Sequence, residues 1–155
     1  MIITTALATS DEAGPLTKIV DRYGAMITER ATASGATEAD WEPLTELVAV
    51  ERFKRVGAYM EEMGWPEYVR FLTQWAGTTR FEMTVFRNTE IGDTVFQEIE
   101  ERHYKDGEDF IRKNVIAVYR FDETNRIRHL DIYEQAKDSG RWIVEAAAEA
   151  TGGNP

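Results

Sequence analysis

Apolar side chains recur at helical spacing near the start of the chain. After Pro15, an early helical position that suits proline, the apolar stripe consists of Leu16, Ile19, Val20, Tyr23, Met26 and Ile27. Charged residues stand mostly opposite this stripe, so the pattern predicts an amphipathic helix that ends near Ser34 and Gly35. The preceding residues 1–14 are small and polar, and we expect them to be flexible.

The next stretch of the chain predicts two more helices with an ambiguous segment between them. Thr37 and Asp40 resemble a capping box, and the apolar positions after them mark a short second helix. Pro66 opens a third helix, which ends at Gly77. Residues 50–65 fit either a helical stripe or a short strand, because periodicity alone does not separate the two.

After the third helix the apolar period falls from helical spacing to simple alternation, which indicates β-strands. The first strand contains FEMTV, and three more segments follow: TVFQEIEERHY, FIRKNVIAVYRF and RIRHLDIYEQ. The connections NTEIGD, KDGED and DETNR are short and rich in turn residues, so the four strands are predicted to form an antiparallel meander. The tail SGRWIVEAAAEA predicts a C-terminal helix, and residues 151–155 are expected to be flexible.

Helices followed by a meander indicate the α+β class. We predict a single domain over residues 1–155, in which the N-terminal helices pack on one face of a curved four-stranded antiparallel sheet. Residues 50–65 add a possible short strand, and the C-terminal helix completes the domain. A curved sheet of this kind forms a cone with a mouth and an interior, where a ligand pocket is expected.

The composition limits the classes of partner that the protein is expected to bind. The 155 residues carry a formal charge of −10 and include no cysteine and only two histidines. An acidic chain is a poor match for nucleic acid or an anionic membrane, and no apolar run approaches the roughly 20 residues of a membrane helix. The residue types and motifs predict no metal and no cofactor. The N-terminus lacks a signal-peptide pattern, so we expect a cytoplasmic location.

The last predicted strand carries the strongest candidate chemistry. Strict alternation divides it into two faces, one with Ile127, His129, Asp131 and Tyr133 and the other with Arg128, Leu130, Ile132 and Glu134. A carboxylate is seldom buried without a partner, and an apolar pocket would raise the pKa of Asp131 towards neutrality. We predict Asp131 as a general acid–base at the base of the pocket, with His129 as its partner. The alternatives are a structural carboxylate paired with an arginine, and a core histidine.

The second strand of the meander carries a further carboxylate. A regular strand turns one set of side chains inward, namely Val95, Gln97, Ile99 and Glu101, whereas a bulge would reverse the choice. The opposite set is then a solvated or subunit-facing charge ladder, with Glu98, Glu100 and Arg102 as its members. Glu101 is therefore a conditional candidate for a second catalytic carboxylate.

Two tyrosines are candidate hydroxyl donors for a developing oxyanion. Tyr119 follows the small Ala117 on the third strand, and Tyr59 lies in the ambiguous segment. The alternative for Tyr119 is a core tyrosine with its hydroxyl at the rim. The predicted lining of the substrate pocket is Ile99, Ala117, Val115, Met60, Trp75 and Tyr133.

The order of the elements and the His129-x-Asp131 pair followed by Tyr133 resemble the nuclear transport factor 2-like superfamily. Within it, the chain is most similar to the SnoaL-like polyketide cyclases and the limonene epoxide hydrolase group, over roughly residues 16–136. The resemblance implies an acid–base role for Asp131. In the epoxide hydrolase group two Asp residues act with an Arg between them. Glu101 falls near the second carboxylate, but Ile99 occupies the position of the Arg.

We therefore expect a cofactor-independent enzyme that performs general acid–base chemistry on a small apolar polyketide, terpenoid or steroid-like molecule. Cyclisation, isomerisation, dehydration and epoxide opening all fit this description. The alternative is a non-catalytic ligand-binding or interaction domain of the same fold. A homodimer is expected in either case, through an apolar row formed by Ile116, Val118 and Ile132.

Overall fold

A computed structural model describes residues 13–33, 35–76, 80–105, 109–137 and 148. The termini predicted to be flexible lie outside the described residues, apart from residues 13 and 14. The predicted C-terminal helix also lies outside them, apart from Ala148. Within the described part of the chain, no helix combines the length and the apolarity that a membrane span requires.

Three helical segments precede the meander, as predicted. Helix α1 spans Pro15–Thr32, and helix α2 spans Trp65–Trp75. The segment between them, Glu38–Glu46, is a 3-10 helix that begins with the predicted capping box of Thr37 and Asp40. Pro43 lies inside this segment and has no N–H to donate, which favours a short 3-10 helix over a regular α-helix.

The ambiguous segment contains a second, very short 3-10 helix and two short strands. The helix spans Val50–Arg52, strand β1 spans Lys54–Val56 and strand β2 spans Glu62–Met63. Strand β1 pairs in parallel with the last strand of the chain and antiparallel with β2. The possible extra strand predicted in this segment is therefore present, and the helical stripe is not formed.

The four long strands form the predicted antiparallel meander. They are β3 (Arg80–Ile91), β4 (Thr94–Lys105), β5 (Asp109–Phe121) and β6 (Ile127–Ala136). With β1 and β2 they make a mixed sheet of six described strands in the order β2-β1-β6-β5-β4-β3. Helix α1 packs on β3 and β4, and α2 packs on β1 and β2. The α+β prediction is confirmed, and we call the helix-covered side of the sheet the inner face.

The two faces of β6 are not those predicted by strict alternation. Phe121 pairs with Ile127 and Arg120 with His129, so Arg128 is an extra residue at this point of the ladder. Ile127 is fully buried, and beyond Arg128 the inward residues begin at the buried Leu130. An extra residue shifts the alternation by one position. The prediction that Asp131 and His129 share the inward face with Ile127 is therefore wrong.

The core lies between the helices and the part of the sheet near β1 and the β5–β6 turn. Its fully buried side chains include Val20 from α1, Trp41 and Leu44 from the 3-10 helix, and Ile127 from β6. Trp41 also donates its indole N–H to Thr73 Oγ1 at 3.1 Å, which links the 3-10 helix to α2. Apolar packing thus holds α1 and α2 over the inner face of the sheet.

A carboxylate on β3 fixes the start of α1. The N–H and Oγ1 of Thr17 donate to Glu90 Oε2 at 2.9 and 2.8 Å, and the N–H of Leu16 donates to Oε1 at 3.4 Å. Gly14 offers no side chain to cap the helix, so Glu90 satisfies N–H groups that would otherwise lack acceptors. A negative charge at a helix N-terminus is also favourable.

We expect Glu90→Gln to lower the free energy of unfolding by about 1–2 kcal/mol, because the charge-assisted hydrogen bonds to α1 are lost. The matched control is Glu98→Gln, which changes an exposed carboxylate on the adjacent strand. Urea denaturation of both variants measures the difference. Equal stability of Glu90→Gln and the parent protein would contradict this account of the helix start.

Candidate active site

A cavity of about 390 Å³ lies between the inner face of the sheet and the two α-helices. Much of its wall is apolar, including Ile27, Leu72, Trp75, Phe81, Ile99 and Ile132. Its size is in the range of pockets for small organic molecules, about 300–1,000 Å³. Three groups of polar side chains reach this wall: two come from the strands alone, and the third combines residues of strands and helices.

The first group is a carboxylate and an imidazole on β4. Glu101 Oε2 and His103 Nε2 lie 3.3 Å apart, and their side chains are 22% and 14% exposed. They stand two residues apart, so both point to the inner face. The His103 ring packs against the rings of Phe81 and Trp75, at 5.0 and 6.1 Å between centroids. This pair combines a proton acceptor and a proton donor in a mostly apolar enclosure.

The second group is an ion pair between β5 and β6. Lys113 Nζ lies 3.3 and 3.4 Å from the two carboxylate oxygens of Glu134, and both residues line the cavity. Lys113 is also the residue paired with Glu101 across β4 and β5. Side chains at such paired positions are neighbours, with Cβ atoms about 5 Å apart. The ammonium of Lys113 therefore pairs with Glu134, while its backbone lies opposite Glu101.

The third group, the Arg55 cluster, contains Arg55, Tyr23, Tyr68 and Tyr119, all of which line the cavity. The Arg55 guanidinium lies over the rings of Tyr68 and Phe71, at 5.3 and 5.5 Å from their centroids. Two polar atoms of this cluster, Arg55 Nη1 and the Tyr23 hydroxyl, are buried and have no hydrogen-bond partner among the described residues.

The hydroxyls of Tyr23 and Tyr119 are neutral. Burial raises the pKa of Tyr23 and of Tyr119 well above the usual value for a phenol, and the neighbouring Tyr68 raises both further. The positive charge of Arg55 acts in the opposite direction but does not offset burial. The two phenols are therefore O–H donors over the physiological pH range.

Asp131 and His129, the main sequence candidates, lie on the outer face and do not line the cavity. Asp131 accepts hydrogen bonds from Arg120 Nη1 and from His129 Nε2, the latter at 2.9 Å. Desolvation alone would raise the pKa of Asp131, but the hydrogen bonds and charges of Arg120 and His129 outweigh it and hold the pKa below its usual range. The prediction of a raised pKa in an apolar pocket is wrong, and the arginine-paired alternative describes the structure.

Four other predicted residues are also absent from the cavity wall. Tyr59 and Met60 lie in the turn between β1 and β2 and are 76% and 80% exposed. Tyr133 is exposed on the outer face, because it follows Asp131 by two residues. Val115 is buried on β5 but does not line the cavity. The remaining predicted residues do line it, namely Glu101, Tyr119, Ile99, Ala117 and Trp75.

Strand β4 is unbulged against β5, so its inward set is the one predicted for a regular strand. The predicted charge ladder on its outer face is only partly solvated. Glu100 is buried and accepts a hydrogen bond from Arg102 Nη1 at 2.6 Å and another from Arg112. The hydrogen bond from Arg102 is the main cause of the lowered pKa of Glu100, with Arg112 adding to it and burial opposing it. Glu98 is exposed, as predicted.

Sequence reasoning did not select four of the charged residues of the cavity: Arg55, His103, Lys113 and Glu134. His103 follows Glu101 by two residues, so regular alternation on β4 places it on the same face. Glu134 shares its face with Leu130 and Ile132, which is a signal that strict alternation does contain. Arg55 lies in the basic run RFKR, which is typical of solvated surface, so no local signal distinguished it.

No protein-family model and no curated protein matches the sequence. Solved structures do resemble it. An LEH-like epoxide hydrolase from M. tuberculosis is 14% identical, with a TM-score of 0.60 over 87% of this chain and 97% of that one. An NTF2-like protein of unknown function from Exiguobacterium sp. 255-15 is 15% identical, with a TM-score of 0.61 over 76% and 98%. A hypothetical protein with a ketosteroid isomerase-like fold from Catenulispora acidiphila DSM 44928 is 18% identical, with a TM-score of 0.59 over 78% and 86%.

These likenesses establish the fold. The chain has the nuclear transport factor 2-like fold, as its sequence predicted. Proteins of this fold have many unrelated functions, so the activity depends on the residues that line the cavity.

We expect Asp131→Asn to lower the free energy of unfolding at pH 7 by about 1–3 kcal/mol, since charge-assisted hydrogen bonds to Arg120 and His129 are lost. The folded-state pKa of Asp131 is below the unfolded value of about 3.9, so its stabilisation is present above that pH and is lost as pH falls through the folded pKa. Urea denaturation at several pH values measures this. A stability difference that persisted unchanged in strong acid would contradict it.

Proposed function

We propose that the protein is a cofactor-independent enzyme that moves protons on a small, largely apolar organic molecule held in the cavity. The observation that carries this proposal is the Glu101–His103 pair, with 3.3 Å between carboxylate and imidazole, inside a largely apolar cavity of about 390 Å³. Positioned acid–base pairs of this kind contribute about 10²–10⁴-fold to rates of proton transfer.

In this proposal Glu101 is the general base. It takes a proton from a substrate carbon or from a water molecule, and His103 orients the carboxylate and exchanges a proton with it. Lys113 stands opposite Glu101 on β5 and brings a cation to the same wall of the cavity. The residues that touch the substrate are then different from Asp131 and His129, which lie on the outer face.

Isomerisation, cyclisation, dehydration and epoxide opening all use such proton transfers. The similar structures include an epoxide hydrolase, which supports this range of chemistry at the level of the fold. Ile99 occupies the position where the epoxide hydrolase group carries its arginine, and Lys113, paired with Glu101 from β5, supplies a cation at the site in its place. Polyketide-, terpenoid- and steroid-like molecules have the apolar bodies that the wall favours.

We expect Glu101→Gln to lower turnover by at least about 100-fold with little change in ligand affinity, because the amide keeps the shape of the side chain but is not a base. A panel of enolisable ketones and epoxides is incubated with the protein in D₂O. Deuterium uptake and product formation are then followed by mass spectrometry.

The matched control is Glu98→Gln, which removes a carboxylate from the outer face of the same strand and is expected to leave turnover unchanged. His103→Gln is expected to lower turnover and to alter its pH profile. If a substrate is found and Glu101→Gln keeps full turnover, this assignment of the base is wrong.

We also propose that the outer face of the sheet packs on a second copy of the chain. Exposed apolar side chains cluster there, namely Phe86, Phe96, Ile116 and Tyr133. A row of this kind is typical of an interaction surface. The row differs from the predicted one at two positions: Ile132 lies on the inner face and lines the cavity, and Val118 is buried.

We expect Ile116→Lys to convert a dimer into a monomer, because a charge replaces an apolar side chain at the centre of the contact. Light scattering coupled to size-exclusion chromatography measures the mass of each species. Ile91→Lys is the control, since Ile91 is equally apolar and exposed but ends β3 at the hairpin turn. A parent protein that is monomeric at high concentration would refute the dimer.

A further inference from the structure

We propose that the molecule bound in the cavity is an organic acid whose carboxylate binds to Arg55 and Tyr23. This inference rests on the proposed function and narrows its substrate class, from a small apolar molecule to one with an apolar body and a fixed negative charge. The carboxylate serves to position the molecule, and it is not the group that reacts.

The first support is the state of Arg55. Its side chain is only 13% exposed, yet Nη1 makes no hydrogen bond among the described residues. The oxygen of an ion pair nearest to Nη1 is Glu61 Oε1, at 3.6 Å, and that carboxylate is 42% exposed. Glu61 also accepts a hydrogen bond from the N–H of Tyr59 through its other oxygen. Arg55 therefore has one long ion pair with a half-exposed carboxylate, its Nη1 makes no hydrogen bond among the described residues, and its side chain also lines the cavity.

The second support is independent of the charge. The Tyr23 hydroxyl is buried and neutral, and it interacts with Tyr68 without a well-formed hydrogen bond among the described residues. A buried hydroxyl whose hydrogen bond is incomplete gains stability from a better acceptor. Both Arg55 and Tyr23 line the cavity, and the charge of Arg55 acts on the hydroxyl of Tyr23. An oxygen-bearing ligand would satisfy both donors together.

A charged oxygen fits this cluster better than a neutral one. The guanidinium lies over the rings of Tyr68 and Phe71, at distances typical of a cation–π contact, and its side chain is only 13% exposed. A low-polarity surrounding strengthens the attraction between guanidinium and carboxylate, and the planar guanidinium matches a carboxylate in shape. A neutral carbonyl would satisfy the hydrogen bonds but would leave Arg55 with only the half-exposed Glu61, at 3.6 Å, as its counter-ion.

The Arg55 cluster, which would bind the carboxylate, lies away from the Glu101–His103 pair, which would carry out the reaction. Arg55 is paired with Leu130, and Leu130 with Tyr119, so these residues lie in one row across the sheet. Glu101 is paired with Lys113, which lies six residues before Tyr119 on β5. The Arg55 cluster and the Glu101–His103 pair therefore occupy different ends of the cavity. A molecule anchored by its carboxylate at one end would present its apolar body to the acid–base pair.

The test compares two probes of nearly equal shape, 2-naphthoate and 2-naphthamide, by isothermal titration calorimetry at pH 7 and 0.15 M salt. We expect the carboxylate to bind at least tenfold more tightly than the amide, despite the protein's formal charge of −10. Arg55→Gln is expected to abolish this preference. Lys54→Gln is the matched control, because it removes an exposed cation from the adjacent position of β1 and is expected to keep the preference.

Tyr23→Phe provides a second test, which remains informative if Arg55→Gln fails to fold. It is expected to weaken naphthoate binding three- to tenfold while the stability of the protein stays equal or increases, because a buried hydroxyl whose hydrogen bond is incomplete is removed. A purely structural role for Tyr23 would predict lower stability and unchanged binding, which would overturn the inference.

The outcomes for this inference and for the proposed function are distinguishable. Equal affinity for the two probes, or a preference that survives in Arg55→Gln, would overturn the carboxylate site and leave Glu101 as the proposed base. A preference that depends on Arg55, in a protein whose turnover is unaffected by Glu101→Gln, would support the carboxylate site and overturn the assigned chemistry.

Discussion

The extra residue at Arg128 decides which side chains of β6 enter the cavity. Without it, strict alternation from the buried Ile127 would turn His129 and Asp131 inward. With it, Leu130, Ile132 and Glu134 face the cavity, and Glu134 meets Lys113 there. This one interruption of the ladder therefore has three effects. It places the Lys113–Glu134 ion pair and the apolar wall beside it in the cavity, and it turns Asp131 to the outer face.

The two faces of the sheet differ in how completely their charges are paired. On the outer face, Asp131 and Glu100 are each held by two positively charged or hydrogen-bonding neighbours, and the pKa of each is lowered. Such pairs stabilise the ionised carboxylate and give it little capacity to exchange protons near neutrality. On the inner face, Arg55 and Tyr23 keep buried donors without hydrogen-bond partners. This incomplete pairing beside an enclosed cavity is the feature on which the proposed carboxylate site rests.

The sequence predicts the helices, the meander and the inward set of β4, because these features depend on local periodicity that the side chains themselves carry. The face of β6 could not be predicted, since a bulge depends on the register with β5 and shifts the alternation without a local sign. Arg55 could not be recognised for a related reason. Its burial comes from the packing of α2 against β1, a contact that the basic run around it does not encode. Glu101 and Tyr119 could be proposed because regular alternation on β4 and β5 is maintained.

The edges of the sheet affect how readily another chain could add a strand to it. Among the described strands, one edge is β2, which is only two residues long, and the other is β3, whose ladder with β4 is interrupted at Phe86. A short or bulged edge offers a poor template for the backbone of another chain, so fibrillar growth by strand addition is disfavoured. The same bulge that places an aromatic ring on the surface therefore also protects the folded protein from amyloid-like assembly.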